Sequence, residues 1–101
     1  MSMYIAAFIT DKPGAALVRD ETRPAFLEYL GSHPAHPDVV VHHGGPTLGD
    51  DGESIVGRLI VMEAPSVEAA RAFLDDSPFA RADVFAECHV HAWDWTTGRP
   101  R

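Results

Sequence analysis

The sequence predicts an α+β sandwich of the ferredoxin-like type, a four-stranded antiparallel sheet with helices on one face, in the order β-α-β-β-α-β. Three observations predict it. Two apolar runs rich in strand formers, YIAAFI near the start and LIVM past the middle, each lead into a stretch with helical spacing. Glycine- and proline-bearing punctuation separates the periodic stretches at 10–14, 33–38, 44–53 and 77–78. The length of 101 residues, 46% of them apolar, suffices for one core and not for two.

Each element has its own signal. Residues 3–9 (MYIAAFI) form a nearly continuous apolar run, the pattern of a strand buried on both faces, and TDKPG at 10–14 ends it. Between 15 and 30 the apolar positions Ala15, Leu17/Val18, Phe26/Leu27 and Leu30 suit a helix that stops at Gly31. Pro24 inside that span predicts a helix start, or a bend, near Thr22. HPAHPD at 33–38 is a loop. Residues 39–43 (VVVHH) read as the second strand, running into a turn at Gly44-Gly45-Pro46.

The turn chemistry of TLGDDGE at 47–53 leads to a third strand over 54–64. Ser66 then suits the N-cap of a helix over 67–74 with Val67, Ala70, Phe73 and Leu74 on its apolar face. Ser77-Pro78 ends that helix, 79–85 adds a helical turn, and 87–95 is the fourth strand. The domain covers 1–96 and leaves 97–101 as a tail. Two helices cover only one face of such a sheet. The other face carries half of each strand, and the cover it needs is a second copy of the chain, so a homodimer is expected.

Composition excludes several function classes. Eight Lys and Arg stand against fifteen Asp and Glu, a formal charge of −7, which disfavours nucleic acid and anionic membrane surfaces. No apolar run reaches membrane-spanning length, and the first residues lack the basic region of a secretory signal. The one cysteine, Cys88, forms no internal disulfide, so the expected location is cytoplasmic. Gly44-Gly45-Pro46 has no following helix and no Lys-Ser/Thr, so it is no phosphate cradle, and no haem, flavin or nucleotide motif is present. No cofactor is expected.

The stretch ECHVHAWDW at 87–95 raises the chemical question. Strand alternation puts His89, His91, Trp93 and Trp95 on one face and Cys88 on the other. The second and fourth strands are opposite edges of this sheet, so His42 or His43 of one chain can approach His89 or His91 of a partner. Imidazoles so placed can serve as general acid or base near neutral pH, and they can equally line a polar subunit interface. Zinc needs three or four ligands; His-x-His offers two, and His33-x-x-His36 lies on a proline-bearing loop that orients neither ring. No metal is expected.

Three further stretches resemble the YciI-like family of the dimeric α/β-barrel group. Arg19-Asp20-Glu21-Thr22-Arg23-Pro24-Ala25-Phe26-Leu27 is similar to the family's R-x-x-x-R-P-A-H-L on helix 1. Gly45-Pro46 matches its G-P turn. Ser66-Val67-Glu68-Ala69-Ala70 and Ser77-Pro78-Phe79-Ala80-Arg81-Ala82-Asp83-Val84-Phe85 resemble its S-x-E-A-A and D-P-[FY]-x-x-A-G-[VL]-[FY]. The resemblance implies a small-molecule enzyme whose acid/base pair is the His of helix 1 and the Asp before Pro; one branch eliminates HCl from a chlorinated aromatic. This chain departs at both places, with Phe26 at the His position and Ser77 at the Asp position. Neither side chain carries a proton as the family's would. A one-residue shift would bring Asp76 to the acid position.

The resulting expectation is an enzyme acting on a small hydrophobic or aromatic molecule by elimination or isomerisation, in a cleft at the dimer. His89 or His91 would be the acid/base with Asp76 as partner. Arg23 would hold a carboxylate bidentately, and Phe26, His42, His43, Ser77 and Trp93 would line the ligand. Phe8, Trp93 and Tyr4 are the expected neighbours of Phe26, while Arg23 has Asp20, Glu21 and Asp76 as possible structural partners. The alternative is a non-catalytic domain of the same family that binds a small molecule or a protein partner.

Overall fold

Along the chain the elements are β1 (Met3–Asp11), α1 (Ala16–Gly31), β2 (Val40–Leu48), β3 (Ile55–Ala64), α2 (Val67–Asp75), α3 (Pro78–Arg81) and β4 (Phe85–Ala92). This computed structural model describes residues 2–99. The strands form one antiparallel sheet in the order β2-β3-β1-β4, and the helices cover one of its faces. The ferredoxin-like class is therefore observed. Among the described residues no helix is long and apolar enough to cross a membrane.

Alternation along the central strands decides what is core. Ile5, Ala7 and Ile9 of β1 and Ile60 and Met62 of β3 point under the helices and are buried. From the other side they meet Phe26 of α1, Phe73 and Leu74 of α2, and Phe79 of α3. The opposite side of β1 carries Tyr4, Ala6 and Phe8, and Phe8 is 53% exposed. In a single chain β1 is thus covered on one face only. Its continuous apolar pattern describes a strand whose second face is an open sheet surface.

Three element boundaries differ from the sequence expectation, each for a physical reason. Helix α1 runs without a break through Pro24. An internal proline removes one backbone bond, but Phe26 two residues on is fully buried against Phe79 and fastens the following turn. Strand β2 does not turn at Gly44-Gly45-Pro46 but continues through it to Leu48, pairing Gly44 with Ile60, Gly45 with Leu59 and Pro46 with Arg58. An edge strand tolerates proline because its second side has no ladder to supply. Strand β4 begins at Phe85 and ends at Ala92, earlier than expected. The Trp93 amide still donates to Tyr4, but the chain then leaves the ladder and lays Trp95 across the open face.

Helix α2 follows its local code. The Ser66 hydroxyl accepts from the Ala69 amide at 3.1 Å, and Ala70, Phe73 and Leu74 are buried beneath it. The two acids at its end, unfavourable for the helix dipole, are compensated at Asp76, which meets His36 at 2.7 Å and Arg81 at 3.3 Å.

Candidate functional site

Two groups of chemistry-bearing residues emerge, on opposite faces of the sheet. The open face gathers four of the six histidines. In β2 the register passes from Val41 opposite Met62 to His43 opposite Val61, so His42 is an extra residue in a bulge. The bulge lets two consecutive histidines address the same face. His42 donates to the Glu63 carboxylate at 2.8 Å, and its ring meets Tyr4 and Trp95 edge-on, while His43 meets Trp95. The hydrogen bonds from His42 and then from Ser2 hold the Glu63 carboxyl below the usual carboxylate range. Trp93 stacks on Trp95 with centroids 5.4 Å apart. At the other edge, His89 and His91 lie opposite Phe8 and Ala6 with exposed side chains, and His89 is 3.3 Å from Glu87.

The helix side holds a different group. Arg58 is placed by β3 on the same face as Ile60 and Met62 and is only 5% exposed. Its guanidinium lies over the Phe26 ring, 4.9 Å from the centroid, and 5.7 Å from that of Phe79; the two rings are themselves stacked at 4.1 Å. Phe26 follows Arg23 by three residues and Arg19 by seven, so helical periodicity puts the three on one side of α1. Arg19 meets the Asp11 carboxylate at 3.2 Å, at the end of β1, with both side chains largely buried. Asp11 follows Ile9 by two residues and so shares its face, and Ile9 is the cross-strand partner of Arg58.

Electrostatically this group is one-sided. Burial, and next to it the charge of Arg23, pushes the Arg58 guanidinium below its ordinary value, while Asp11 acts in the other direction. A guanidinium remains charged regardless. Among the described residues Arg23 and Arg58 have no ion-pair partner; of the three possible structural partners of Arg23, none pairs with it, and Asp76 is engaged by His36 and Arg81. Asp11 and Arg19 also line a cavity of about 360 Å³ between the β1–α1 loop and Ile55 and Val56 at the start of β3.

The structure brings some expected residues together and separates others. Arg23 and Phe26 belong to the helix-side group, whereas His42, His43 and Trp93 belong to the open face. Asp76 ends α2 in the helix layer, across the sheet from His89 and His91, and so is not joined to them. Ser77 is fully buried; its hydroxyl donates to the Leu74 carbonyl at 2.6 Å and accepts from the Ala80 amide, capping α3. Tyr4 and Phe8 lie across the sheet from Phe26, which meets Phe79 and Arg58 instead. Among the described residues no three His, Cys, Asp or Glu side chains gather as metal ligands.

Sequence reasoning missed Arg58 and Asp11. The signal for Arg58 was available: in GRLIVMEA it stands two and four residues before Ile60 and Met62, so period two puts it on their face. Asp11 continues the period-two face of Ile5, Ala7 and Ile9, but it lies inside the turn stretch at 10–14 and so reads as part of a turn.

The family model of the YCII-related domain matches residues 3–94. The chain belongs to the YCII-related domain family. Among solved structures, 5-chloro-2-hydroxyhydroquinone dehydrochlorinase (TftG) from Burkholderia phenoliruptrix AC1100, in complex with 2,5-dihydroxybenzoquinone, is 32% identical. The match covers 91% of this chain and 94% of that one with a TM-score of 0.75. A dimeric ferredoxin-like protein from Thermobifida fusca is 18% identical over 92% of this chain and 90% of its own, with a TM-score of 0.52, a likeness of fold. No curated protein sequence matches this YCII chain.

Proposed function

We propose that this chain acts on a small hydroxylated aromatic molecule by proton-shift chemistry, an elimination or isomerisation, in the helix-side cleft. The observation that carries this reading is the largely buried Asp11 carboxylate, held by Arg19 at 3.2 Å on the wall of a cavity. A carboxylate in a low-dielectric wall with one fixed guanidinium is equipped to take a proton from a ring hydroxyl and return it elsewhere. The likeness to a dehydrochlorinase, over nearly the whole of both chains, supports the substrate class. Phe26 and Ser77, at the places where the resemblance implies an acid/base pair, leave Asp11 as the proton carrier on this side of the sheet.

In this reading a second copy covers the open face, and His42, His43, His89 and His91 line the contact between subunits. The test is chloride release from 5-chloro-2-hydroxyhydroquinone by the purified full chain, compared with Asp11→Asn. Turnover lost at least 100-fold in the variant supports the reading. Equal rates in the two proteins, or no turnover in either, overturn it.

A second reading has its own observation. Phe26 and Ser77 are both fully buried and fully engaged, the one in an aromatic stack and the other in a helix cap. A binding domain without turnover fits that closure. It predicts saturable binding of 2,5-dihydroxybenzoquinone with no release of chloride from the chlorinated compound.

A further inference from the structure

Arg58 presents an unsolved electrostatic problem within the chain. It is the one charged side chain among the buried residues described, and a buried cation without an anionic partner is strongly unfavourable. The rings of Phe26 and Phe79 offset part of that cost through their faces, but they accept none of the guanidinium's hydrogen bonds. The nearest acid, Asp11, is already engaged by Arg19. The remaining neighbour, Arg23, adds a second unpaired cation. Three guanidinium groups thus face one carboxylate, in a protein whose overall charge is −7.

A second donor is short of an acceptor in the same place. Nε of Arg19 is buried and makes no hydrogen bond; Asp20 lies 3.6 Å away, beyond hydrogen-bonding range. Buried donors are satisfied in nearly all native structures, so such an orphan calls for an explanation. Local positive charge in excess, a largely buried guanidinium without an anionic partner and an orphaned N–H on Arg19 all ask for the same complement: an anion with more than one acceptor oxygen. The planar fork of arginine suits a flat, delocalised oxyanion in particular.

We propose that Arg58, Arg23 and Arg19 form the oxyanion-holding end of the cleft, and that its ligand is a flat aromatic molecule carrying an ionised oxygen at neutral pH. This rests on the cleft reading above and names its substrate class.

The test is calorimetric titration of the full chain with benzoate and with its neutral analogue benzamide. Benzoate is expected to bind at least ten-fold more tightly than benzamide, and to weaken several-fold between about 50 mM and 500 mM salt. Arg58→Met should cost benzoate at least ten-fold and leave benzamide unchanged, with Arg58→Lys intermediate because it keeps the charge and loses the fork. Should Arg58→Met fail to fold, Arg23→Gln, at a position of α1 that is itself exposed, provides the same comparison, with at least a three-fold loss. Equal affinity for the two probes, no binding of either, or benzoate affinity untouched in Arg58→Lys and Arg23→Gln overturns the proposal. Asp11→Asn separates it from the reading on which it rests. Loss of turnover is the outcome that reading expects of this variant, whereas benzoate affinity should be kept or improved, because one competing carboxylate is gone. Arginine-dependent benzoate binding in a protein without turnover leaves the anion site standing and removes the catalytic reading.

Discussion

The guanidinium of Arg58 lies over the ring of Phe26, its central carbon 4.9 Å from the ring centroid, joining the middle of the sheet to helix α1 beneath the core. This contact weighs against an imidazole at position 26. In Phe26→His the new ring would be buried under a cation, so its protonated form would be penalised twice, by burial and by like charge. We predict that Phe26→His lowers stability by about 1–3 kcal/mol, through lost stacking and a buried polar ring, without raising turnover. Thermal unfolding and the chloride-release assay check the two halves of that statement.

Gly57 is fixed by the neighbouring strand. A Cβ added there would fall 1.9 Å from the Ile9 carbonyl oxygen, at the pairing of β1 with β3. Gly57→Ala must push the two central strands apart, and a loss of more than about 3 kcal/mol is expected. Gly45→Ala, whose Cβ would meet nothing within 4 Å, should cost far less. Urea unfolding of the two variants side by side measures the contrast.

Tyr29 makes the fold sensitive to alkali. Its hydroxyl donates to the Phe73 carbonyl at 2.6 Å, and burial, followed by the charge of Asp76, pushes its pKa up to about 12 from the usual 10.0. The protonated phenol is favoured in the folded state. Its contribution is therefore fully present below pH 10 and is lost as pH rises toward 12. Tyr29→Phe should flatten the stability profile across that window, as followed by circular dichroism between pH 9 and 12.

Asp51 acts at the other end of the scale. Its carboxylate accepts from the Ser54 hydroxyl and from the amides of Glu53 and Ser54, and these bonds hold its pKa down to about 2. A depressed carboxyl stabilises the fold above its unfolded value of 3.8 and ceases to do so as pH falls toward 2. A carbon-detected NMR titration should place the Asp51 midpoint near 2 in the wild type and return it toward 3.8 in Ser54→Ala, where the largest of the three causes is removed.

The open face predicts assembly. Phe8 and Trp93 are exposed on or beside it, and a hollow of about 260 Å³ lies against Leu59 and Val61. Sedimentation should give a dimer for the wild type, and Phe8→Asp should shift it to monomer while leaving the helix-side core intact. A monomeric wild type would remove the cover assigned to this face.

Much of the fold was legible because alternation and helical spacing are local. The order of elements, the Ser66 cap and the buried face of α2 all follow from residues within a few positions of each other. What escaped depends on distant partners. Pro46 looked like a turn until β3 made β2 an edge strand, and Pro24 looked like a break until Phe79 fastened Phe26. The histidines of the open face were visible as a pattern, yet the bulge that turns both His42 and His43 onto it is a property of pairing. Arg58 was hidden by its neighbours: with apolar residues on both sides of β3, alternation alone did not say which side lay under the helices. Arg23 and Phe26 were legible as candidates, but the cation that unites them comes from a strand more than thirty residues later.

Strand β1 is made first and lies between β3 and β4, one of which is the last element made. On the ribosome the YIAAFI segment therefore emerges with both edges bare, gains one partner when β3 appears, and waits for the other until residue 92 has cleared the exit tunnel. No amino-terminal fragment can close the sheet, and pairing over such separations is slow compared with helix formation. Between the emergence of β1 and that of β4 the nascent domain carries a sticky edge, so its yield depends on how well that edge is shielded until β4 arrives.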